Sequence, residues 1–273
     1  MKNIIFFSGN QLRHKFIADK LISKNYNLIW ITMPRERDIT YKGKTSNSLK
    51  NLLNIHNKKR INAENKYFSN AGKIAKKKCK KIINLNKKLD DDKIIKKNFF
   101  QFKPKLFITY GCRKVDIIGI KKNLKHHCYF WNLHAGLSPW YRGSITHFWP
   151  SYMLEPEFTG VTLHEITSDI DWGPVIDQTK PKLHKTDGVH DTSCKSILRF
   201  GNSLRNKIKK IFNSKHKIKG IPHKSQGRIW TNKMWSPKHL KLIYETYNDR
   251  INKYCLNNKT IKKVKIKSVF NKL

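Results

Sequence analysis

Residues 4–33 have the sequence IIFFSGNQLRHKFIADKLISKNYNLIWITM, and this stretch sets the architecture of the chain. The apolar run 4–7 predicts a buried strand, 8–10 a turn, and 11–24 a helix whose apolar residues recur at near-helical spacing. The apolar run 27–33 predicts a second strand. A strand, turn, helix, strand order is typical of the start of a parallel sheet with helices on its faces.

The remaining apolar runs continue this pattern along the chain. We expect further strands at 106–110, 127–131, 158–166 and 173–179. We expect helices at 66–101, with a break near residues 89–92, and at 115–120, 145–154 and 188–212, whereas 34–65 is polar and irregular. The sequence therefore predicts an α/β fold, namely a Rossmann-like open, mostly parallel sheet flanked by helices.

The composition becomes more basic and less periodic after about residue 212. Within this part, 226–232 predicts a strand or hairpin edge, and Ser236-Pro237 opens a predicted helix that continues to about Tyr254. We therefore expect a main domain over residues 1–212 and a small C-terminal α+β subdomain over residues 213–273, which we call the tail.

The chain is strongly basic. Lys and Arg number 58 against 18 Asp and Glu, which gives a net charge of +40. Taken alone, this charge suggests nucleic acid or another polyanion as partner. Only ten of the 58 are Arg, however, and the lysines come with many Asn and Ile, as an AT-rich genome produces. A positive field also speeds the capture of phosphorylated small molecules, so the charge alone does not decide between these partners.

Several classes of protein are not expected from the sequence. The five cysteines are scattered and form no Cys-x-x-Cys pair, so we expect neither a disulfide framework nor a zinc or other metal site. The apolar run near the N-terminus is too short for a signal peptide, and no stretch approaches the length of a membrane span. We expect a cytoplasmic protein without a membrane partner.

Three polar residues stand out as candidates for catalysis. Asn132 and His134 follow the strand predicted at 127–131, and two residues apart in extended chain they point to the same face. Asn offers an N–H donor where negative charge develops on an oxygen, and His donates or accepts a proton near neutral pH. Asp171 lies in an Asp-Trp-Gly-Pro turn, and across the sheet it would orient the imidazole, as the third member of a triad does.

Each of these residues also has a purely structural interpretation. An Asn after a strand is usually a turn former, a His there is more often a hydrogen-bonded structural residue, and Asp-x-Gly is a common turn. Their combination with neighbouring motifs favours catalysis.

Four motifs occur in order over about fifty residues. They are Asn132-x-His134, the sequence SPWYRG over 138–143, TGVTLH over 159–164 and DWGPVIDQ over 171–178. This series resembles the 10-formyltetrahydrofolate-dependent formyltransferases, a family that formylates glycinamide ribonucleotide, methionyl-tRNA and amino sugars linked to nucleotides. The resemblance extends more weakly over residues 1–210.

The resemblance implies a role for each residue of the candidate site. Asn132 would hold the formyl oxygen, His134 would stabilise the oxyanion and shuttle a proton, and Asp171 would orient His134 or a water molecule. His147 and His164 would be structural. The cosubstrate would be 10-formyltetrahydrofolate, held largely by main-chain groups at Ile108, Thr109, Tyr110, Gly111, Leu137, Ser138, Thr167 and Asp169.

Among the acceptors that the family uses, a nucleotide-linked amino sugar fits the sequence best. Methionyl-tRNA enzymes add a larger C-terminal barrel than this tail, and glycinamide ribonucleotide enzymes usually end near the first domain. Both acceptors therefore fit the sequence less well and are kept as alternatives. The candidate residues for binding the nucleotide sugar are Asn10, Arg13, His14, Tyr141, Arg142 and Trp230. Relatives often dimerise through their tails, which makes a homodimer possible.

A different class of function is a non-catalytic basic protein that binds nucleic acid. An inactive enzyme has no chemical reason to keep Asn132, His134 and Asp171 together. The Lys-rich segment 66–88 has few aromatic residues besides Tyr67 and Phe68, although single-strand binding usually combines basic and aromatic groups. A nucleic-acid partner is therefore not expected.

Overall fold

The computed structural model describes residues 1–34, 39–85, 91–225 and 227–272. Three of the predicted segments include positions outside these ranges, namely 35–38, 86–90 and Gln226. Within the described residues, a seven-stranded sheet has the order β3-β2-β1-β4-β5-β7-β8. Its strands are β1 Lys2–Gly9, β2 Tyr26–Met33, β3 Lys81–Asn84, β4 Leu106–Tyr110, β5 Tyr129–His134, β7 Val161–Glu165 and β8 Val175–Thr179.

The sheet is mostly parallel. Strands β3, β2, β1, β4 and β5 pair in parallel, and β7 and β8 complete the sheet as antiparallel strands. The predicted Rossmann-like α/β class is therefore confirmed. Two short strands, β6 Arg142–Gly143 and β9 Ile229–Trp230, form a second, parallel pair that joins the tail to the main domain.

Helices cover both faces of the large sheet. The helices of the described residues are α1 Leu12–Lys20, α2 Asn47–Phe68, α3 Lys73–Lys78, α4 Asp91–Phe102, α5 Ile117–Lys122, α6 Trp149–Tyr152, α7 Val189–Asn213 and α8 Ile251–Asn257. Helices α1 and α7 lie on one face, and α4 and α5 lie on the other. Alternate residues of β1 serve the two faces: Ile4 and Phe6 join the core beneath α1 and α7, and Ile5 and Phe7 join the core beneath α4 and α5. The result is a layered arrangement of helix, sheet and helix.

Several predicted elements are wrong in type or length. The segment predicted as irregular, 34–65, contains most of α2, and the helix predicted over 66–101 is divided by the edge strand β3. The helix predicted over 145–154 is reduced to the single turn α6. The tail helix predicted from Ser236 is instead a 3-10 turn, Pro237–His239, a π-helical turn, Leu242–Thr246, and α8.

A third apolar cluster fastens the tail to the main domain. Trp230, Trp235 and Leu240 of the tail pack with Tyr141 and Trp149 of the preceding loops. The boundary between residues 212 and 213 stays a prediction.

No helix in the described part of the chain is long and apolar enough to cross a membrane. No group of three or more His, Cys, Asp and Glu side chains among the described residues has metal-binding geometry.

Candidate active site

A cleft of about 1470 Å³ opens at the carboxyl ends of β1, β4 and β5. The strand order changes direction between β1 and β4, and ligands of open α/β sheets bind at such switch points. Asn132, His134 and Asp171, which we call the polar trio, all line this cleft. Its volume exceeds that of a pocket for one small ligand and leaves room for two substrates.

Asn132 lies on β5, with β4 on one side and β7 on the other. Its Oδ1 accepts a hydrogen bond of 2.7 Å from Thr109 Oγ1 on β4. Its Nδ2 donates to Asp171 Oδ1 at 2.9 Å and lies 3.1 Å from His164 Nε2 on β7. The two neighbouring strands therefore fix which way the amide faces.

Asp171 lies in the turn between β7 and β8, where its φ of +46° is an uncommon left-handed conformation for a residue with a side chain. Its Oδ2 accepts from the backbone N–H of Gly143 at 3.0 Å and lies 3.1 Å from His134 Nδ1. Burial alone would raise the pKa of Asp171, but His134, His164 and the Gly143 N–H together hold it far below its ordinary value. Asp171 is therefore a carboxylate at neutral pH.

His134 is buried and held at both ring nitrogens. Its Nδ1 faces Asp171, and its Nε2 lies 2.7 Å from the main-chain carbonyl of Tyr141. Burial lowers the pKa of His134, and the Asp171 carboxylate opposes that shift. The Asp171 carboxylate and the Tyr141 carbonyl can only accept hydrogen bonds. A protonated ring nitrogen therefore donates to the one that it faces.

His164 belongs to the same hydrogen-bonded group, although the sequence indicated only a structural role. Its Nδ1 lies 2.7 Å from the carbonyl of Glu165, which only accepts, so Nδ1 carries the proton in the neutral ring. Its Nε2 then accepts from Asn132 Nδ2. His164 supports the amide and does not itself line the cleft.

This arrangement can perform acyl-transfer chemistry. An amide donor, an imidazole and an ionised carboxylate converge from β5 and from the turn after β7. Such a set stabilises negative charge on a carbonyl oxygen and moves a proton without a metal.

The cleft includes fewer than half of the ligand-binding residues that the sequence predicts. Those that line it are Arg13, His14, Tyr110 and Gly111. Thr109 lies behind Asn132 and supports it. Ile108, Leu137 and Ser138 are buried in the protein, Asn10, Thr167 and Asp169 are exposed, and none of these six lines the cleft.

The structure contradicts three predicted contacts with the acceptor. Trp230 is buried, with the rings of Tyr141 and Trp149 stacked on it at centroid distances of 5.6 and 4.6 Å and the Arg228 guanidinium 4.1 Å from its ring centroid, so it is not open to stack on a base. Tyr141 donates its hydroxyl to Glu155. Arg142 donates to the carbonyl of Ile170 and stacks on Trp172, and it thereby holds the turn that presents Asp171.

Two helices supply a wall of the cleft that the sequence did not indicate. Helix α2 contributes His56, Arg60 and Glu64. Helix α7 contributes His190, Ser193, Cys194 and Ile197, and we call these four residues the α7 wall. Both sets have the spacing of one helical face. That spacing was visible in the sequence, but nothing in it marked the face as lining a cleft.

Comparison with known proteins supports the fold. No model of a protein family matches the chain. The methionyl-tRNA formyltransferase of Prochlorococcus marinus is 32% identical over 117 residues, which are 40% of this chain and 35% of that protein. A second methionyl-tRNA formyltransferase, from Phocaeicola vulgatus, is similar to the same extent, so the matches span about a third of the length of these curated relatives.

Solved structures match over most of the chain. An N-formyltransferase from Helicobacter canadensis, solved with folinic acid and dTDP-3-aminofucose, superimposes with a TM-score of 0.54 at 14% identity, covering 89% of this chain and 81% of that one. The formyltransferase PseJ from Anoxybacillus kamchatkensis, solved with a UDP-linked formamido sugar and tetrahydrofolate, gives 0.50 at 19% identity, with 92% and 96% coverage. The chain has the formyltransferase fold.

Proposed function

We propose that this chain is an N-formyltransferase that moves the formyl group of 10-formyltetrahydrofolate to the amine of a nucleotide-linked amino sugar. The observation that carries the proposal is the polar trio, which lines a cleft in the formyltransferase fold. Asn132 Nδ2 lies 2.9 Å from Asp171 Oδ1, and His134 Nδ1 lies 3.1 Å from Asp171 Oδ2. Residues 1–212 would form the catalytic domain, and a homodimer through the tail stays part of the proposal.

The loop after β4 suits the folate. Gly111 and Cys112 line the cleft just beyond the last residue of the β4 ladder, where a pterin would meet the main chain. Gly111 has a φ of +55°, and a Cβ there would lie 2.4 Å from His14 Nε2. Tyr110, Gly111, Cys112 and Arg113 would hold the pterin, and when bound the folate supplies a formyl carbonyl on nitrogen.

The polar trio would then act at this carbonyl. Asn132 Nδ2 would exchange its bond with His164 for one with the formyl oxygen, and would stabilise the negative charge that develops there. With its ring proton on Nδ1, donated to Asp171, His134 would turn Nε2 away from the Tyr141 carbonyl and take the proton that the amine loses. It would return this proton to the folate nitrogen as the bond from that nitrogen to the formyl carbon breaks and tetrahydrofolate leaves. The ionised Asp171 would stabilise the charged imidazole.

Charge and aromatic side chains in the cleft support an anionic nucleotide as part of the acceptor. Arg13 and Arg113 are paired with Glu64 and Asp92. Further cations line the cleft, namely Lys42, Arg60 and Lys233. The partly exposed ring of Tyr41 stands edge-on to Trp235 at 6.4 Å, and both rings line the cleft. We expect the cations to bind the diphosphate and the aromatic rings to contact the base.

Methionyl-tRNA is the second candidate acceptor. It is favoured by the sequence similarity to two methionyl-tRNA formyltransferases. The basic surface would also favour a polyanionic acceptor.

The test is incubation of the purified protein with 10-formyltetrahydrofolate and each acceptor class. The panel contains UDP- and dTDP-linked amino sugars, glycinamide ribonucleotide and charged methionyl-tRNA, and the readout is a mass gain of one formyl group. Formylation of an amino-sugar nucleotide supports the proposal. Formylation of methionyl-tRNA alone would replace the acceptor, and no transfer to any amine would refute the proposed activity.

A further inference from the structure

The cleft contains a serine and histidine pair outside the polar trio, with the serine on the α7 wall. Ser193 of α7 and His147, in the segment between β6 and α6, both line the cleft. His147 Nδ1 lies 2.5 Å from Ser193 Oγ, and His147 Nε2 lies 2.7 Å from the carbonyl of Gly160. The pair therefore joins two sides of the cleft.

The direction of these hydrogen bonds follows from the partners. The Gly160 carbonyl only accepts, so His147 Nε2 carries the proton of the neutral ring and Nδ1 is left as an acceptor. Burial lowers the pKa of His147 to about 4, which keeps the ring neutral at physiological pH. Ser193 must then donate its hydroxyl hydrogen to His147.

A serine held in this way can only accept further hydrogen bonds. Its single O–H is used, and the lone pairs of Oγ remain for a donor in the cleft. The carboxylates that line the cleft are engaged elsewhere: Glu64 with Arg13, Asp92 with Arg113, and Asp171 within the polar trio. Ser193 is thus a neutral acceptor in the cleft that the polar trio also lines.

The pair lies next to the polar trio. Thr146, which precedes His147, donates to the carbonyl of Ala135, which follows His134. A Cβ built on Gly136 would lie 2.5 Å from His134 Nε2 and 2.9 Å from Thr146 Cβ. The segment that carries His147 therefore packs against Ala135 and Gly136, the two residues that follow His134.

We propose that Ser193 Oγ binds the acceptor amine by accepting one of its N–H groups, with His147 as the positioning residue that fixes the serine hydroxyl. This inference rests on the proposed formyl transfer to an amine. With one N–H held by Ser193, the neutral amine keeps its nitrogen lone pair for the formyl carbon. Ser193 then contributes to affinity for the acceptor and not for the folate.

The test is steady-state kinetics of Ser193→Ala, with Ser203→Ala as the matched control. Ser203 lies on the same helix and its hydroxyl bonds only its own backbone region, at 2.9 Å from Phe200 O, outside the cleft. We expect the KM for the amine acceptor to rise on the order of 10-fold in Ser193→Ala, with the KM for 10-formyltetrahydrofolate unchanged. Ser193→Thr, which keeps the oxygen, should restore most of the affinity.

Each outcome decides the proposal. Wild-type kinetics in Ser193→Ala, or an equal rise in both KM values, would overturn the role of Ser193 and leave the proposed formyl transfer standing. Failure of Ser193→Thr to restore binding, although the variant folds, would also overturn it. Absence of formyl transfer to any amine in the wild type would refute both proposals together.

Discussion

The amide of Asn132 is the most constrained polar group of the site. Thr109 donates to its oxygen, while its nitrogen donates towards Asp171 and His164. A flipped amide would turn its oxygen towards the Asp171 carboxylate, which is electrostatically unfavourable. The orientation with Nδ2 towards Asp171 and His164 is thus imposed by three side chains from three different elements.

Thr109→Val should weaken catalysis through this orientation. Without the Thr109 hydroxyl, the Asn132 oxygen loses its donor, and we expect kcat to fall about 10-fold with little change in either KM. Steady-state kinetics of formyl transfer measures this. Thr32→Val is a matched control, because Thr32 also donates to an Asn Oδ1 from a neighbouring strand, at 2.9 Å from Asn84, but outside the site. Equal kinetics in the two variants would contradict the role of Thr109.

The strand pair β6–β9 connects the site with the tail. Gly143 in β6 has a φ of +93°, and a Cβ there would lie 2.3 Å from the carbonyl oxygen of Trp230 in β9. The same glycine donates its N–H to Asp171. One residue therefore contacts the tail and also donates a hydrogen bond to the Asp171 carboxylate.

Gly143→Ala should destabilise this connection. The backbone clash and the left-handed φ predict a loss of about 1 to 3 kcal/mol in the free energy of unfolding, with a parallel loss of activity. Urea denaturation measures the stability. Gly43→Ala is the control for stability, because the nearest atoms to its Cβ would belong to the side-chain ring of Tyr41 and not to backbone. An equally stable Gly143→Ala protein would show that the pair β6–β9 is not tightly constrained.

The elements that the sequence predicted well are those with apolar cores. Strands β1, β2 and β4 are mainly apolar runs, and helix α7 has a clear apolar face. Strands β7 and β8 each contain two buried aliphatic residues among polar ones, and the positions of all six elements were predicted. Helix α2 was missed because its buried face includes His56 and Glu64. Their partners, Tyr244 and Arg13, come from distant segments that local periodicity does not reveal.

The tail helix was predicted wrongly for a related reason. Asn248 and Asp249 adopt positive φ values of +46° and +56°, which interrupt a helix. Asp249 accepts a hydrogen bond of 3.0 Å from the N–H of Val189, at the start of α7. This tertiary contact overrides a helical pattern that is otherwise present in the sequence.

The polar trio could be predicted because its spacing along the chain is characteristic, and the structure places the three side chains in contact. The ligand-binding residues could not be predicted equally well. Whether a residue lines the cleft depends on the order of strands and on the packing of α2 and α7. Trp230 illustrates this, since only the fold shows that its ring is buried against Tyr141, Trp149 and Arg228.

Buried histidines make the whole molecule sensitive to acid. Burial lowers the pKa of His56 to about 3, whereas an unfolded histidine titrates near its ordinary value. Below about pH 6.5 the unfolded chain therefore binds more protons than the folded one, so stability falls as the pH falls. This loss precedes that from the carboxylates, whose ordinary pKa values are lower.

Stability should thus be lower at about pH 5.5 than at about pH 7.5, by about 1 kcal/mol for His56 alone. Thermal unfolding at the two pH values measures the change. His56→Phe, in an aromatic cluster with Phe148 and Trp235, should reduce the difference. An unchanged pH dependence in this variant would show that His56 is not a source of the acid sensitivity.

The central claim is that Asn132 and His134 act on a formyl carbonyl, and formyl transfer by the two alanine variants tests it most directly. With an acceptor that the wild type uses, we expect Asn132→Ala and His134→Ala each to lose on the order of 10²–10³ in rate while remaining folded. His216→Ala, at an exposed histidine, should keep the wild-type rate. Wild-type turnover in Asn132→Ala and His134→Ala would contradict the account.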